Sequence, residues 1–553
     1  MTDITIFRAQ KIVTMNPSNP TATHVAVRGG KILGAGTLDE VKGWGAYTLD
    51  DTFADKVLVP GLIEAHSHAA EGMTATFPQV GYFDRPLPDG SVAPAIKSYD
   101  ALIAKLKALD AAMPDPQQVL ITQGFDPIYF PGERLSAKQL DQVSTTRPIL
   151  VFHASGHLAT VNTAMLKKHN ITRDTKVDGV ARDANGDPNG ELQEMPAISL
   201  AESALVPLLA ANDSDNTIWN FGSAARNVGC TTIADLSSMV LLEPAKLQAW
   251  SRIVNDARFP ARLAAGVFPA MPGSTGNWSA VAAALKKMQA EATTDKFRPA
   301  SVKFVLDGSI QGWTAVLNEP GYYTGKDQGQ LLAVPEQFAD WLLPFHQAGI
   351  NIFVHCNGNK TADLFIDAVE QLIIKYPWLD HRHTVHHAQL LTSAQFRRMA
   401  KLGMCANLFT NHIWYWGDQH YALTVGPERA NSMEACATAK REGVHFSMHS
   451  DASVTPLGQL HTMWCAVNRV TPSGRVLGEH EKISAYDALY AVTVDAAYQL
   501  HLDHEIGSIE AGKFADFTVL DASPLDVDPM AIKDINVWGT VLGGVKYPKP
   551  HAA

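Results

Sequence analysis

VLVPGLIEAHSHAAEG, residues 57–72, is an apolar run that stops abruptly at two histidines one residue apart, His66 and His68. Side chains two apart on a strand share a face, so both imidazoles project together from one strand end, a geometry suited to a metal ion. A lone His-x-His belongs more often to a surface turn, so the rest of the chain has to carry the reading. Seven further β-like apolar runs follow: TTIADL (231–236), ARLAAGVF (261–268), SVKFVLD (301–307), NIFVHC (351–356), HTVHHAQ (383–389), MCANLF (404–409) and HFSMHSD (445–451). Between them lie segments such as WSAVAAALKKMQAEA (278–292), TADLFIDAVEQLIIKY (361–376) and SAYDALYAVTVDAAYQL (484–500), whose apolar residues recur at helical spacing. Eight strands alternating with helices predict parallel βαβ units closed into an α/β (β/α)8 TIM barrel over residues 57–500.

One interval breaks this rhythm. Residues 75–215 separate the first two strands by far more than a connecting helix needs, and are expected to form an inserted subdomain over the barrel's C-terminal mouth. Residues 1–56 and 501–553 carry short alternating runs with glycine-rich turns, for example HVAVRGGKILGAG and GSIEAGKFADFTVLD, and are expected to pair into a small β-sandwich. The glycines of RGGKILGAG have neither Walker nor Rossmann spacing and suit a hairpin turn.

The 553 residues are 46% hydrophobic and 18% charged, enough for a sizeable core, and the net charge of −11 with no basic run argues against a nucleic-acid partner. No apolar stretch reaches the ~18 residues of a membrane helix. MTDITIFRAQ lacks a signal-peptide layout, so a cytoplasmic location with no membrane partner is expected. Five cysteines without a Cys-x-x-Cys pair read as small core residues, Cys356 beside His355 included. Homo-oligomerisation stays open, because no pattern specifies an interface.

Barrel enzymes draw their sites from strand C-terminal ends. The first strand ends in His66 and His68, the fourth carries Lys303 and finishes at Asp307, the fifth ends in His355, the sixth carries His386 and His387, and the eighth ends in His449-Ser450-Asp451. Imidazoles with a carboxylate suit zinc, with manganese, iron or nickel open. An open coordination position would activate water, and hydrolysis of a small-molecule substrate follows.

Taken in order, VPGLIEAHSH, SVKFVLDGS, FVHCNGN, VHHAQ, HSDAS and GSIEAGKFADFTVLD, with GHLATVN (156–162) and GELQE (190–194), resemble the amidohydrolase superfamily, specifically amidohydrolase family 3 with its N-substituted formamide deformylases. The resemblance implies a metal-bearing barrel flanked by a β-sandwich of both termini. It implies that His66, His68 and Asp451 hold a buried metal, that His355 and His387 hold a second, and that Lys303, carboxylated on its ε-nitrogen, bridges a binuclear centre. The alternative for Lys303 is a structural lysine ion-paired to Asp307, which would leave one metal. Asp451 would also act as general base and then general acid.

Two departures from the family pattern matter. His386 stands where glutamate is common, and strand alternation expects it to point away from the metal, leaving a role as partner of a ligand. Trp313 in GSIQGWTA stands where arginine is common, which favours an uncharged or aromatic substrate. Further substrate-binding candidates are His157, Glu194 and Asp307, together with Trp414 and Trp416 of the aromatic segment 409–416, which either lines the pocket or packs against the insertion. The expected activity is metal-dependent hydrolysis of a C–N bond in an amide or formamide. A deaminase or cyclic-amide hydrolase on the same barrel, and a metal-free scaffold or binding protein, are the rivals.

Overall fold

The computed structural model describes residues 3–550 other than Pro131, Glu133, Asp213, Met239, 270–275 and 326–328. Eight parallel strands form one sheet in chain order: β1 (Leu62–Ser67), β2 (Cys230–Ser238), β3 (Arg262–Val267), β4 (Phe297–Val305), β5 (Asn351–Cys356), β6 (Thr384–His387), β7 (Cys405–Leu408) and β8 (Phe446–Met448). Each predicted run supplies one of them. Every residue of β1, β3, β5, β6, β7 and β8 is buried, as expected of parallel strands covered by helices on one side and filled by side chains on the other. Helix Asn359–Lys375 shows how the cover is made: Ala362, Phe365, Ile366, Val369 and Leu372 fall at three- and four-residue spacing and are buried in the main core.

The ring is nearly closed between β8 and β1. There the Ser450 backbone N–H donates to the Glu64 carboxylate at 3.1 Å, and the His68 N–H donates to the Ala452 carbonyl.

The run beginning at Val57 is two strands, not one. Tyr47–Pro60 lies in the terminal sheet, parallel to Ile4–Val13 and antiparallel to Phe517–Leu520. The chain then turns at Gly61 and enters the barrel at Leu62. A Cβ on Gly61 would sit 1.9 Å from Thr231 Oγ1, so only glycine lets the two sheets meet this closely.

Both termini do come together, and the expected sandwich is realised as a single hydrogen-bonded sheet of seven strands with Phe7, Phe53 and Phe517 in its core. A buried two-pronged ion pair fastens it to the barrel, Arg262 donating to Asp516 at 2.6 and 2.9 Å.

The interval after β1 holds a five-stranded sheet whose central strand, Leu158–Val161, lies between Ile149–His153 and Pro188–Gln193, with Leu150, Val161 and Leu192 in one core and Leu106, Phe125 and Leu140 in another. Helix Asp215–Asn227 then returns the chain to β2. All five cysteines are free and buried, as read from the sequence.

Candidate metal centre

Asp451, in the loop after β8, is the meeting point of the strand ends. Its Oδ1 lies 3.1 Å from His68 Nε2 and 3.4 Å from His66 Nε2, and its Oδ2 lies 3.8 Å from His387 Nδ1. Lys303 Nζ is 3.2 Å from His66 Nε2, and the His355 and His387 rings are 4.2 Å apart between centroids. Residues from β1, β4, β5, β6 and the β8 loop, up to 385 positions apart in sequence (His66 to Asp451), thus converge at one end of the barrel. One ligand atom each of His66, His387, His449 and Asp451 lies within 4.8 Å of the others.

The side chains present fit a divalent cation. His387 Nε2 is a buried atom with no hydrogen-bond partner, a costly state that a metal ion would relieve. Burial first, and the neighbouring cations second, push the imidazoles of His66, His355 and His387 well below their ordinary value, keeping them neutral as ligation requires. Burial alone would raise Asp451, but the hydrogen bond from His68 and the nearby Lys303 ammonium hold it below the usual carboxylate range. Burial pushes the Lys303 ammonium down to about 7, so near neutrality much of it is an amine with a free lone pair.

Backbone strain gathers at the same place. His387, Asp451 and Glu194 all have left-handed φ angles, 68°, 52° and 62°, a region costly for residues with a Cβ and populated mainly where function over-determines the backbone. At His387 this turn ends the alternation of β6, so neighbouring imidazoles both reach His66: ring centroids lie 4.5 Å away for His386 and 4.8 Å for His387. His386 approaches from behind, Nδ1 to Nδ1 at 2.7 Å, on the nitrogen of His66 opposite the one facing Asp451.

A cavity of about 330 Å³ opens above this floor. Met73, Phe152, Leu208, Leu236 and Phe268 form much of its wall, with the amides of Gln79 and Gln123 among them. His157 and Glu194 reach it from the insertion, paired at 2.7 Å. Burial lowers the His157 pKa, but the charge and hydrogen bond of Glu194 outweigh it and the net direction is up.

Four other candidates do not line this cavity. Asp307 serves the loops after β4 and β5, accepting from the backbone of Val316 and Gly358 at 3.0 and 2.8 Å and from Thr361 Oγ1 at 2.9 Å, and burial pushes it up to about 7. It lies 3.6 Å from His355 Nε2 and forms no ion pair with Lys303 among the described residues. Trp313 packs beneath Arg134, Trp414 packs edge-on against Trp464, and Trp416 donates to Asp126 at 2.8 Å, bordering only a side cavity of about 40 Å³. Trp416, with Tyr415, is spent sealing the insertion onto the barrel loops, where Tyr129 Oη bonds the Tyr415 carbonyl.

Two residues were not assigned from sequence. Glu64, pushed up to about 8 by burial, binds the backbone of His66 and Ser450 and so fixes β1 against the β8 loop. His449 stacks on His66 with ring centroids 4.5 Å apart. Both carry a readable signal, since each stands two positions before a proposed ligand.

A model of the amidohydrolase family matches residues 54–546. Protein LONG AFTER FAR-RED 3 of Arabidopsis thaliana is 26% identical over 97% of this chain and 90% of its own length. The N-substituted formamide deformylase of Arthrobacter pascens is 26% identical over 99% and 98%. Among solved structures, an uncharacterized metal-dependent hydrolase from Pyrococcus horikoshii OT3 superimposes with a TM-score of 0.70 at 20% identity, covering 95% of this chain and 99% of that one.

Proposed function

The chain belongs to the amidohydrolase family, and from that premise we propose that it is a metal-dependent hydrolase cleaving the C–N bond of an uncharged amide or formamide with an apolar substituent. The observation that carries this reading is the convergence of His66, His68 and His387 on Asp451 at the floor of the cavity. His66, His68 and Asp451 would hold one ion, most suitably zinc. His355 and His387 would hold a second, with Lys303, once carboxylated, supplying the acceptor oxygens between them. The ion supplies Lewis acidity, polarising a carbonyl and acidifying water.

The protein's own groups do the rest. Asp451, kept ionised by its hydrogen bond from His68, accepts a proton from the attacking water and passes it to the leaving nitrogen. Glu64 and His386 hold the backbone and ring of His66 in place. Lys303 on the floor is the only Lys or Arg among the described residues that line the cavity. A carboxylate on the substrate would therefore be buried with no Lys or Arg beyond the floor to pair with, at a cost that disfavours N-acyl amino acids against neutral amides.

Metal analysis with a hydrolysis screen tests the proposal. N-formyl and N-acetyl derivatives of apolar amines should be cleaved to amine and carboxylate in a chelator-sensitive reaction, and faster than N-acyl amino acids. Ammonia as the nitrogen product would point instead to deamination. A metal-free protein with no hydrolytic activity on any such compound would remove the assignment.

A further inference from the structure

We propose that His157 is a further catalytic residue, hydrogen-bonded through Nε2 to the reacting amide of the substrate, and that Glu194 is the residue that positions it. The proposal rests on the amide-hydrolase reading above. His157 Nδ1 lies 2.7 Å from Glu194 Oε2, which leaves Nε2 as the ring nitrogen available to the cavity both residues line. The imidazole stands beside the centre, its ring 5.3 Å from that of His355. An amide offers both a carbonyl acceptor and, when secondary, an N–H donor, so Nε2 finds a partner there whichever way its proton is placed.

A purely structural role, stapling one strand of the insertion to another, does not account for the pair. The backbone already makes that join: Leu158 is in register with Gln193, and the Glu194 N–H donates to the His157 carbonyl at 2.7 Å. Glu194 also adopts φ 62°, which turns its carboxylate off the strand and toward the barrel mouth at a cost in backbone strain. Its Oε1 is buried without a partner and approaches Gly308 so closely that a Cβ there would come within 2.4 Å. Strain, an unsatisfied acceptor and a glycine that makes room are all spent on aiming one imidazole.

The test compares metal-loaded wild type with His157→Phe, His157→Gln and Glu194→Gln on one uncharged amide that the wild type turns over. His157→Phe keeps its metal content and thermal midpoint while kcat/KM falls about 100-fold, the lower end for a lost proton-transfer or polarising contact. His157→Gln, which restores a polar tip, recovers part of that loss, and Glu194→Gln lowers kcat more than it raises KM. A structural staple would instead lower the thermal midpoint and leave Phe and Gln equally impaired. His157→Phe within threefold of wild type overturns the proposal. Calorimetric titration with N-benzylacetamide separates the contact from turnover. Weaker binding by His157→Phe supports the contact even where the amide is not cleaved, a result that would count against the hydrolase reading alone, and equal binding overturns the contact.

Discussion

The Nδ1 atoms of His66 and His386 lie 2.7 Å apart, while Nε2 of His66 faces Asp451 and Lys303. One ring nitrogen of His66 is therefore fixed by a neighbour so that the other is presented to the centre, the arrangement by which a hydrogen-bonding partner sets the tautomer and orientation of a ligand. Removing the partner while keeping the ring shape, as in His386→Phe, should weaken metal binding about 10- to 100-fold. His386→Gln should bind more tightly than the Phe variant. Competition against a calibrated chelator measures both, and a Phe variant with wild-type affinity would detach His386 from the centre.

His68 is the least buried member of the floor, its side chain 24% accessible and its Nε2 3.1 Å from Asp451. His68→Ala should abolish turnover and lower bound metal, since it removes a ligand and the hydrogen bond that keeps Asp451 ionised. Elemental analysis alongside the rate assay checks this. Full activity of the variant when metal-free would end the metal mechanism.

Lys303 has no carboxylate partner among the described ion pairs and stands 3.2 Å from His66 Nε2. An ammonium cannot ligate, whereas a carboxylated amine offers oxygens, and an amine brought down to about 7 is available to react with carbon dioxide near neutral pH. Lys303→Ala should bind fewer ions per chain than wild type and lose most of its activity, with partial recovery in added acetate. Unchanged metal stoichiometry in that variant would leave Lys303 outside the ligand set.

Much of this centre was readable because parallel strands buried on both faces appear as unbroken apolar runs, and because His66 and His68 share one face of such a run. What escaped had local causes. VLVPGLIEAH is apolar on both sides of Gly61, so nothing in its pattern marks the passage from one sheet to another. Alternation leaves His386 as the partner of a ligand, which its contact with His66 matches, but the φ of 68° at His387 that brings both neighbouring rings to His66 has no mark in the sequence. Trp414 and Trp416 could not be assigned without knowing where the insertion lands, which depends on contacts such as Trp416 to Asp126 across 290 residues.

Below the active end, His381 accepts from the His383 N–H at 2.9 Å and its Nε2 lies 2.7 Å from the Leu402 carbonyl. Burial, with the nearby charge of His346, takes its pKa down to about 4, although Asp380 opposes this and His501 adds to it. A histidine held below its unfolded value of about 6.5 gives its full stability above that pH and loses it as pH falls toward 4. The loss is on the order of 3 kcal/mol for this residue at most. Thermal midpoints should therefore drop between pH 6.5 and 4, and more shallowly in His381→Asn, whose side-chain oxygen can still accept from His383. Equal slopes would assign the acid sensitivity to other buried histidines.

Gly61 gives the sharpest test of how the two sheets are joined. Its φ is not left-handed, so alanine is not excluded by backbone conformation. The obstacle is Thr231, whose Oγ1, Cγ2 and Cβ would lie 1.9, 2.6 and 2.7 Å from a new Cβ. Gly61→Ala must push β1 from β2 at the point where Leu62 N–H donates to Thr518 Oγ1 at 2.9 Å, and overpacking of this kind costs about 1–3 kcal/mol. Thr231→Ala removes the two nearest atoms, so the double variant should regain part of the stability lost in the single one. Denaturant unfolding of the three variants would decide it, and a Gly61→Ala protein as stable as wild type would mean that the two sheets meet more loosely than these distances require.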